Sequence, residues 1–139
     1  MTSTTTSTIL YVDDDRDDCM FFSQSFSEVN NTASVICAND GDEAVQYLST
    51  VVNSTSTLLP SLIVMDLNMP RWDGKKTLKY LKSDPVLASI PVVILSTSNN
   101  KSEQDTCEKL GAARYYVKPF HFSELKNIVQ QFQVYLQAS

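Results

Sequence analysis

Four short apolar runs and a weaker fifth divide the chain into alternating segments. The strong runs are ILYV (9–12), LIVM (62–65), VVIL (92–95) and YYV (115–117), and the weaker one is SVICA (34–38). The long runs are apolar throughout rather than at every second position. This pattern predicts strands that are covered on both faces, as in a parallel sheet.

The segments between and after these runs carry apolar residues at helical spacing. Helices are predicted in RDDCMFFSQSFSEV, GDEAVQYLSTVV, DGKKTLKYLKSD, KSEQDTCEKLGA and HFSELKNIVQQFQVYLQ. The last of these places six apolar residues on one face, namely Leu125, Ile128, Val129, Phe132, Tyr135 and Leu136. Strand and helix alternate five times, which predicts an α/β fold with a doubly wound five-stranded parallel sheet and right-handed crossovers.

Polar residues follow the long apolar runs at the point where each run ends. Asp13 and Asp14 follow the first, Asp66 the second, Ser96 the third and Lys118 the fourth. In an open parallel sheet these positions share the edge formed by the carboxyl ends of the strands, where ligands bind. In the strand order 2-1-3-4-5, the first and third strands flank the point where the order reverses, so the three carboxylates are expected to converge.

A cluster of carboxylates needs compensation. Two of them about 4 Å apart repel by roughly 4 kcal/mol at an effective dielectric of 20. One remedy is a hard divalent cation such as Mg²⁺, which favours carboxylate, water and phosphate oxygens. Another is the ammonium of Lys118 on a neighbouring strand end.

Each of these residues also has an ordinary interpretation. The acidic residues of 13–18 fit a run at a helix N-terminus, Lys118 fits a solvated lysine, and Ser96 fits a turn. Chance is a poor explanation for four strand ends that carry acid, acid, hydroxyl and base in turn.

Size and charge limit the function classes. A chain of 139 residues matches one domain. The net charge of −5 argues against direct nucleic-acid binding, which depends on contacts from Lys and Arg. No apolar run approaches the roughly 20 residues that cross a bilayer, so no membrane association is expected.

The N-terminus and the cysteines favour a cytoplasmic protein. Residues 1–7 lack the basic start and apolar stretch of a signal peptide and are predicted to form a disordered tail before a domain over residues 8–139. Cys19, Cys37 and Cys107 are odd in number and widely spaced. We expect them to be small buried apolar residues in a reducing compartment.

Four motifs, in order, carry a family resemblance: VDDD, VMDLNMPRWDG, ILSTS and YYVKPF. Together they resemble the response-regulator receiver domain of two-component signalling, related to the stand-alone chemotaxis regulators, over Ile9 to about Leu136. The stretch KSDPVLASIPVVILSTS is also similar to stand-alone regulators that partner phytochrome-type kinases. The resemblance implies the flavodoxin-like receiver fold.

The resemblance implies that Asp66 accepts a phosphoryl group from a histidine kinase or phosphotransfer protein. It further implies that Asp13, Asp14 and Asp66 hold Mg²⁺, with the backbone carbonyl of Asn68 as another ligand. The chain is then a phospho-acceptor that assists its own phosphorylation and dephosphorylation, rather than an enzyme in its own right.

Further roles follow from the same resemblance. Ser96 and Lys118 would contact the phosphoryl oxygens, and Ser96 with Tyr115 would form a switch in which the phenol changes rotamer. Since no output domain follows the last helix, output is expected through a downstream protein target. The apolar stripe of the last helix suggests a homodimer face.

Three further residues lie in or beside the four motifs. Thr97 stands where many family members carry Ala and is expected to narrow access to the acyl phosphate. Trp72 is expected in an exposed loop, either as a kinase contact or as a loosely packed aromatic. His121 is expected to cap or flank the last helix.

Three other functions are disfavoured by the sequence. A small phosphatase of the haloacid-dehalogenase type also uses an Asp nucleophile, but it needs a second acid where this chain has Asn68. A receiver-like scaffold without phosphorylation would be expected to lack an acid or the lysine. A flavodoxin is disfavoured because no Ser/Thr/Gly-rich phosphate loop follows the first strand.

Overall fold

The computed structural model describes residues 7–30, 32–54, 59–69 and 73–136. Strands and helices alternate along the chain, with one 3₁₀ turn, at Leu87–Ser89, among these residues. The elements are β1 (Thr8–Val12), α1 (Arg16–Val29), β2 (Ser34–Ala38), α2 (Gly41–Val52), β3 (Leu62–Met65), α3 (Gly74–Ser83), β4 (Val92–Ser96), α4 (Lys101–Lys109), β5 (Arg114–Val117), α5 (Phe122–Gln131) and α6 (Gln133–Leu136).

The five strands form one parallel sheet in the order β2-β1-β3-β4-β5. This confirms the predicted fold class and strand order. Residues 1–6 of the predicted tail lie outside the described residues. Ser7, its last residue, borders the sheet, because its carbonyl accepts a hydrogen bond from the Ser34 N–H.

Alternate residues of each central strand enter two separate apolar cores. On one face, Leu10, Ile63 and Ile94 are buried beneath α2, α3 and α4. On the other, Ile9 and Val64 are buried with the apolar residues of α1 and α5. Both faces are apolar because both are covered, which is why the runs show no alternation. Full burial of one such side chain contributes about 1.5–3 kcal/mol.

Side-chain oxygens cap the first four helices. Asp15, Asp40, Asp73 and Asn100 each accept a backbone N–H from the first turn of the helix that follows. These caps fix where each helix leaves the sheet edge.

The predicted last helix is divided in the structure. Helix α5 ends at Gln131 and the short α6 follows Phe132. The apolar stripe packs against the α1–α5 core, with Leu125, Val129 and Phe132 buried and the remaining members partly buried. The stripe is therefore not the exposed surface that the homodimer prediction assumed, and a homodimer stays a prediction.

Cys19 on α1 and Cys37 on β2 form a disulfide, with their Cα atoms 6.3 Å apart. The prediction of separate buried cysteines is wrong for this pair, because the two are bonded and Cys37 is exposed. The prediction is confirmed for Cys107, which is free and buried. The pairing depends on the sheet register, which places Cys37 beside Tyr11 of β1, so linear spacing could not reveal it. Among the described residues, no helix has the length and apolar character needed to cross a membrane.

Candidate functional site

Backbone hydrogen bonds extend the sheet ladder into the residues at its carboxyl edge. The N–H of Asp13 donates to the Ala38 carbonyl at 3.0 Å, and the N–H of Asp66 donates to the Val12 carbonyl at 2.9 Å. The N–H of Lys118 donates to the Ser96 carbonyl at 2.7 Å. The backbone of these residues is therefore held by the sheet, and their side chains start from one edge, as predicted.

Three carboxylates lie together at this edge. Asp13, Asp14 and Asp66 each offer one oxygen, and these oxygens all lie within 4.8 Å of one another. Asp13 and Asp66 are only 3% and 8% exposed, whereas Asp14 is open to solvent. An all-oxygen donor set with one face toward water suits a hard divalent cation that keeps some of its waters. The residues present therefore fit a divalent metal.

The Lys118 ammonium is shared among three carboxylates. Its Nζ lies 2.7 Å from Asp13 Oδ2, 2.8 Å from Asp18 Oδ2 and 3.3 Å from Asp66 Oδ2. Burial acts to lower the pKa of Lys118, but the hydrogen bonds to Asp13 and Asp18 and the carboxylate charges outweigh it. The pKa of Lys118 therefore lies above its ordinary value, and the ammonium stays charged.

One carboxylate oxygen of Asp66 accepts hydrogen bonds from the backbone, and the other faces Lys118. Its Oδ1 accepts from the Leu67 N–H at 2.7 Å and, at the longer distance of 3.5 Å, from the Asn68 N–H. Burial raises the pKa of the Asp66 carboxyl and the charge of Asp13 adds to this, while Lys118 opposes the shift. The net direction is upward, so the carboxylate is held in a site that lacks full charge compensation.

Asp13 has partners on both of its oxygens. The Tyr11 hydroxyl donates to Oδ2 at 3.0 Å and the Asp15 N–H donates to Oδ1 at 3.0 Å. Burial, together with the charge of Asp13, raises the pKa of Tyr11, so this phenol remains a donor.

Sequence reasoning did not identify Tyr11 and Asp18 as members of the site. Each had a signal in its position. Tyr11 lies two residues before Asp13, which is the spacing of side chains on one face of a strand. Asp18 lies in the first turn of α1, three residues after the N-cap Asp15 and so next to the edge of the sheet.

Ser96 and Tyr115 lie on the neighbouring strands β4 and β5 but are not paired with each other. The register pairs Ser96 with Val117, and Tyr115 with Ile94. Ser96 is fully buried and its hydroxyl accepts from the Ser98 N–H at 3.2 Å, while the Tyr115 hydroxyl donates to the Ser98 carbonyl at 2.7 Å. Both therefore contact the loop after β4, and Ser98 links them.

The remaining predicted residues lie near the edge or outside the described chain. Asn68 and Thr97 are exposed. His121 occupies the N-cap position of α5 without a side-chain cap, so it flanks the helix as predicted. Trp72 lies outside the described residues.

Comparison with known proteins agrees with this architecture. A family model described as "Response regulator receiver domain" matches residues 9–130. Among curated proteins, Response regulator Rcp1 of Synechocystis is 30% identical over 122 residues, which cover 88% of this chain and 83% of Rcp1. The probable methanogenesis regulatory protein FilR2 of Methanothrix harundinacea is 29% identical over 127 residues, 91% of this chain and 81% of FilR2.

Two solved structures are similar over nearly the whole chain. The phosphorylated cyanobacterial phytochrome response regulator RcpA superposes with a TM-score of 0.85 at 32% identity, covering 97% of both chains. The Mn²⁺-bound form of Rcp1 superposes with a TM-score of 0.76 at 30% identity, covering 94% of both chains.

Proposed function

The chain belongs to the response regulator receiver domain family, and from that premise we propose that Asp66 accepts a phosphoryl group from a histidine kinase or phosphotransfer protein. The observation that carries the proposal is the position of Asp66. It is an 8% exposed carboxylate at the end of β3, beside two further acids and within 3.3 Å of a lysine ammonium. That relatives include a phosphorylated phytochrome response regulator supports the same role.

In the proposed reaction a carboxylate oxygen of Asp66 attacks the phosphorus of a phosphohistidine. The O–P bond forms as the N–P bond breaks, and the imidazole nitrogen keeps the electron pair. The Leu67 N–H orients the Asp66 carboxylate, and Lys118 places positive charge beside the oxygens on which negative charge accumulates. No other side chain forms or breaks a covalent bond in this reaction, so its rate depends on positioning and on charge stabilisation.

We propose Mg²⁺ as the cofactor, held by Asp13, Asp14 and Asp66 with the Asn68 backbone carbonyl. When bound, the ion supplies positive charge to the phosphoryl oxygens and compensates the acid cluster. The Mn²⁺-bound form of the similar regulator Rcp1 supports a divalent metal as ligand of this chain. Asp14→Ala is expected to weaken binding of Mg²⁺ in calorimetry, because it removes the solvent-facing member of the three acids.

Ser96 and Tyr115 are proposed to transmit phosphorylation to a protein-binding surface. A phosphoryl group offers the Ser96 hydroxyl hydrogen a charged acceptor, and the inward movement of this hydroxyl would pull on the Ser98 N–H, which donates to its oxygen. Movement of that loop would disturb the bond from the Tyr115 hydroxyl to the Ser98 carbonyl and free the phenol to change rotamer. A differential energy of a few kcal/mol is enough to shift a two-state population.

Labelling with acetyl phosphate and Mg²⁺ tests the phospho-acceptor role. Wild type is expected to form a hydroxylamine-labile acyl phosphate, Asp66→Asn none, and Asp84→Asn, an acid outside the site, the wild-type amount. Labelling that survives in Asp66→Asn would place the phosphoryl group elsewhere, and no labelling of wild type would favour a scaffold that is not phosphorylated.

Two exposed apolar side chains beside the site fit contact with the phosphoryl donor protein. Phe120 is 95% exposed two residues after Lys118, and Met20 is 71% exposed on α1 beside the cavity that Asp13 lines. Exposed apolar groups of this kind often mark protein interfaces. Phe120→Ala is expected to slow phosphorylation by a kinase severalfold and to leave labelling by acetyl phosphate unchanged; equal slowing by both donors would contradict a docking role.

A further inference from the structure

Asp18 contacts the site lysine without belonging to the three acids that can hold a metal. Its Oδ2 accepts from Lys118 Nζ at 2.8 Å, closer than the 3.3 Å that separates the same Nζ from Asp66. An ammonium has three hydrogens, and the three carboxylates around Lys118 use them all. A new acceptor at Asp66 must therefore compete with Asp18 and Asp13 for the same donor.

The backbone of Asp18 is held in a fixed place. Its N–H donates to the Asp15 carboxylate that caps α1, so Asp18 is secured in the first helical turn. Its side chain is 38% exposed, against 13% for Lys118. The Asp18 carboxylate can thus exchange its lysine contact for water at lower cost than a buried acid could.

One side of the Asp18–Lys118 pair is largely apolar. The Asp18–Lys118 pair borders a cavity of about 30 Å³ lined mainly by apolar and aromatic side chains, including those of Phe22, Leu95 and Leu125. That space holds about one water molecule. The polar partners of the ammonium are therefore the carboxylates of Asp13, Asp18 and Asp66, on the other side of this apolar lining.

We infer that Asp18 is a positioning residue that competes with Asp66 for the Lys118 ammonium and so limits how firmly the chain holds a phosphoryl group. The effect on the phosphoryl group rests on the proposed function. The competition between Asp18 and Asp66 for the Lys118 ammonium exists in the unmodified chain. When a phosphoryl group is present, Lys118 moves toward it and Asp18 is released to solvent. Removing the Asp18 charge removes the competitor and favours the phosphorylated arrangement.

The matched pair Asp18→Asn and Asp17→Asn tests this. Both remove one negative charge from the first turn of α1, yet only Asp18 contacts Lys118. With Mg²⁺ and beryllofluoride, a phosphoryl analogue, Asp18→Asn is expected to bind the analogue about 5-fold more tightly than Asp17→Asn does, the effect expected of a half-exposed ion pair. Equal affinities in the two variants, or weaker binding in Asp18→Asn, would overturn the inference.

A second readout does not depend on phosphorylation. In the metal-free protein, the Lys118 ammonium resonance in NMR is expected to shift in Asp18→Asn and to stay in place in Asp17→Asn. If neither variant shifts it, the pairing is absent and the inference fails whether or not Asp66 is phosphorylated. If wild type binds no analogue but the resonance shifts as expected, the proposed function fails while the competition for Lys118 stands.

Discussion

Gly74, the first residue of α3, packs against the backbone that carries Asp66. Its N–H donates to the Leu67 carbonyl at 2.8 Å. A Cβ added at Gly74 would lie 2.6 Å from the Asp66 carbonyl oxygen and 2.7 Å from Leu67 Cα. Both are backbone atoms, so neither can turn aside as a side chain would. Gly74→Ala must therefore move the start of α3 or the segment after β3.

The size of the effect follows from two opposing terms. Ordinary contact begins near 3.4 Å, so the closest approach must open by about 0.8 Å. Overpacking of this kind costs about 1–3 kcal/mol, whereas Gly to Ala within a helix gains at most about 1 kcal/mol. Because the clash is with backbone, overpacking wins. We expect a net loss of about 1–2 kcal/mol in the free energy of unfolding and a Tm lower by about 3–8 °C.

Thermal unfolding and metal titration measure the two consequences, with Gly111→Ala as the control. Gly111 has a φ of +108° and follows α4. Alanine there should also destabilise, by about 1–2 kcal/mol from left-handed strain, but it leaves the Asp66 segment in place. Gly74→Ala should lower Mg²⁺ affinity and Gly111→Ala should not. A Tm for Gly74→Ala at or above wild type would refute the packing argument.

Two further predictions concern stability. The Cys19–Cys37 disulfide joins residues 18 apart in sequence and is expected to contribute about 3 kcal/mol to the free energy of unfolding. A reductant should therefore lower the denaturant midpoint of wild type and of Cys107→Ser alike. An unchanged midpoint would contradict this. The raised pKa of Asp66 means that the folded state keeps its proton to higher pH than the unfolded state, so this residue's contribution to stability falls as pH rises through the folded-state pKa. Metal-free Asp66→Asn should therefore be more stable than metal-free wild type at pH 7, by roughly 1 kcal/mol, and the difference should shrink toward pH 4. The opposite trend would show that the attraction of Lys118 for the Asp66 carboxylate outweighs the cost of burying it.

The strands and the site edge were predictable because they depend on local patterns. A strand covered on both faces must be apolar throughout, and Leu62–Met65 shows that pattern without reference to any distant residue. The residue after each such strand then falls at the carboxyl edge by topology alone. Asp13, Asp66 and Lys118 were placed together on that argument, and the structure brings them into contact.

The contacts that were missed depend on register and on the approach of a helix to the sheet. Whether Cys37 faces Cys19, or Asp18 reaches Lys118, is decided by where α1 lies against the sheet edge. A run of acids before a helix reads as capping, and Asp15 does cap α1. Only the three-dimensional arrangement distinguishes Asp15, which caps the helix, from Asp18, which forms an ion pair with Lys118.

The charge balance at the edge constrains the order in which ligands can bind. With Asp13, Asp14, Asp18 and Asp66 ionised, one Lys118 ammonium leaves three negative charges uncompensated within a few ångströms. A phosphoryl group on Asp66 would replace one negative charge by about two, which deepens the imbalance where burial already raises the pKa of Asp66.

A divalent cation more than offsets that added charge, whereas Lys118, already bonded to three acids, brings no new positive charge. We therefore expect phosphorylation to require the metal, and an excess of chelator to prevent labelling. Lys118 can contribute only by redistributing its contacts, so the acid that releases it most readily, the partly exposed Asp18, governs how far it moves.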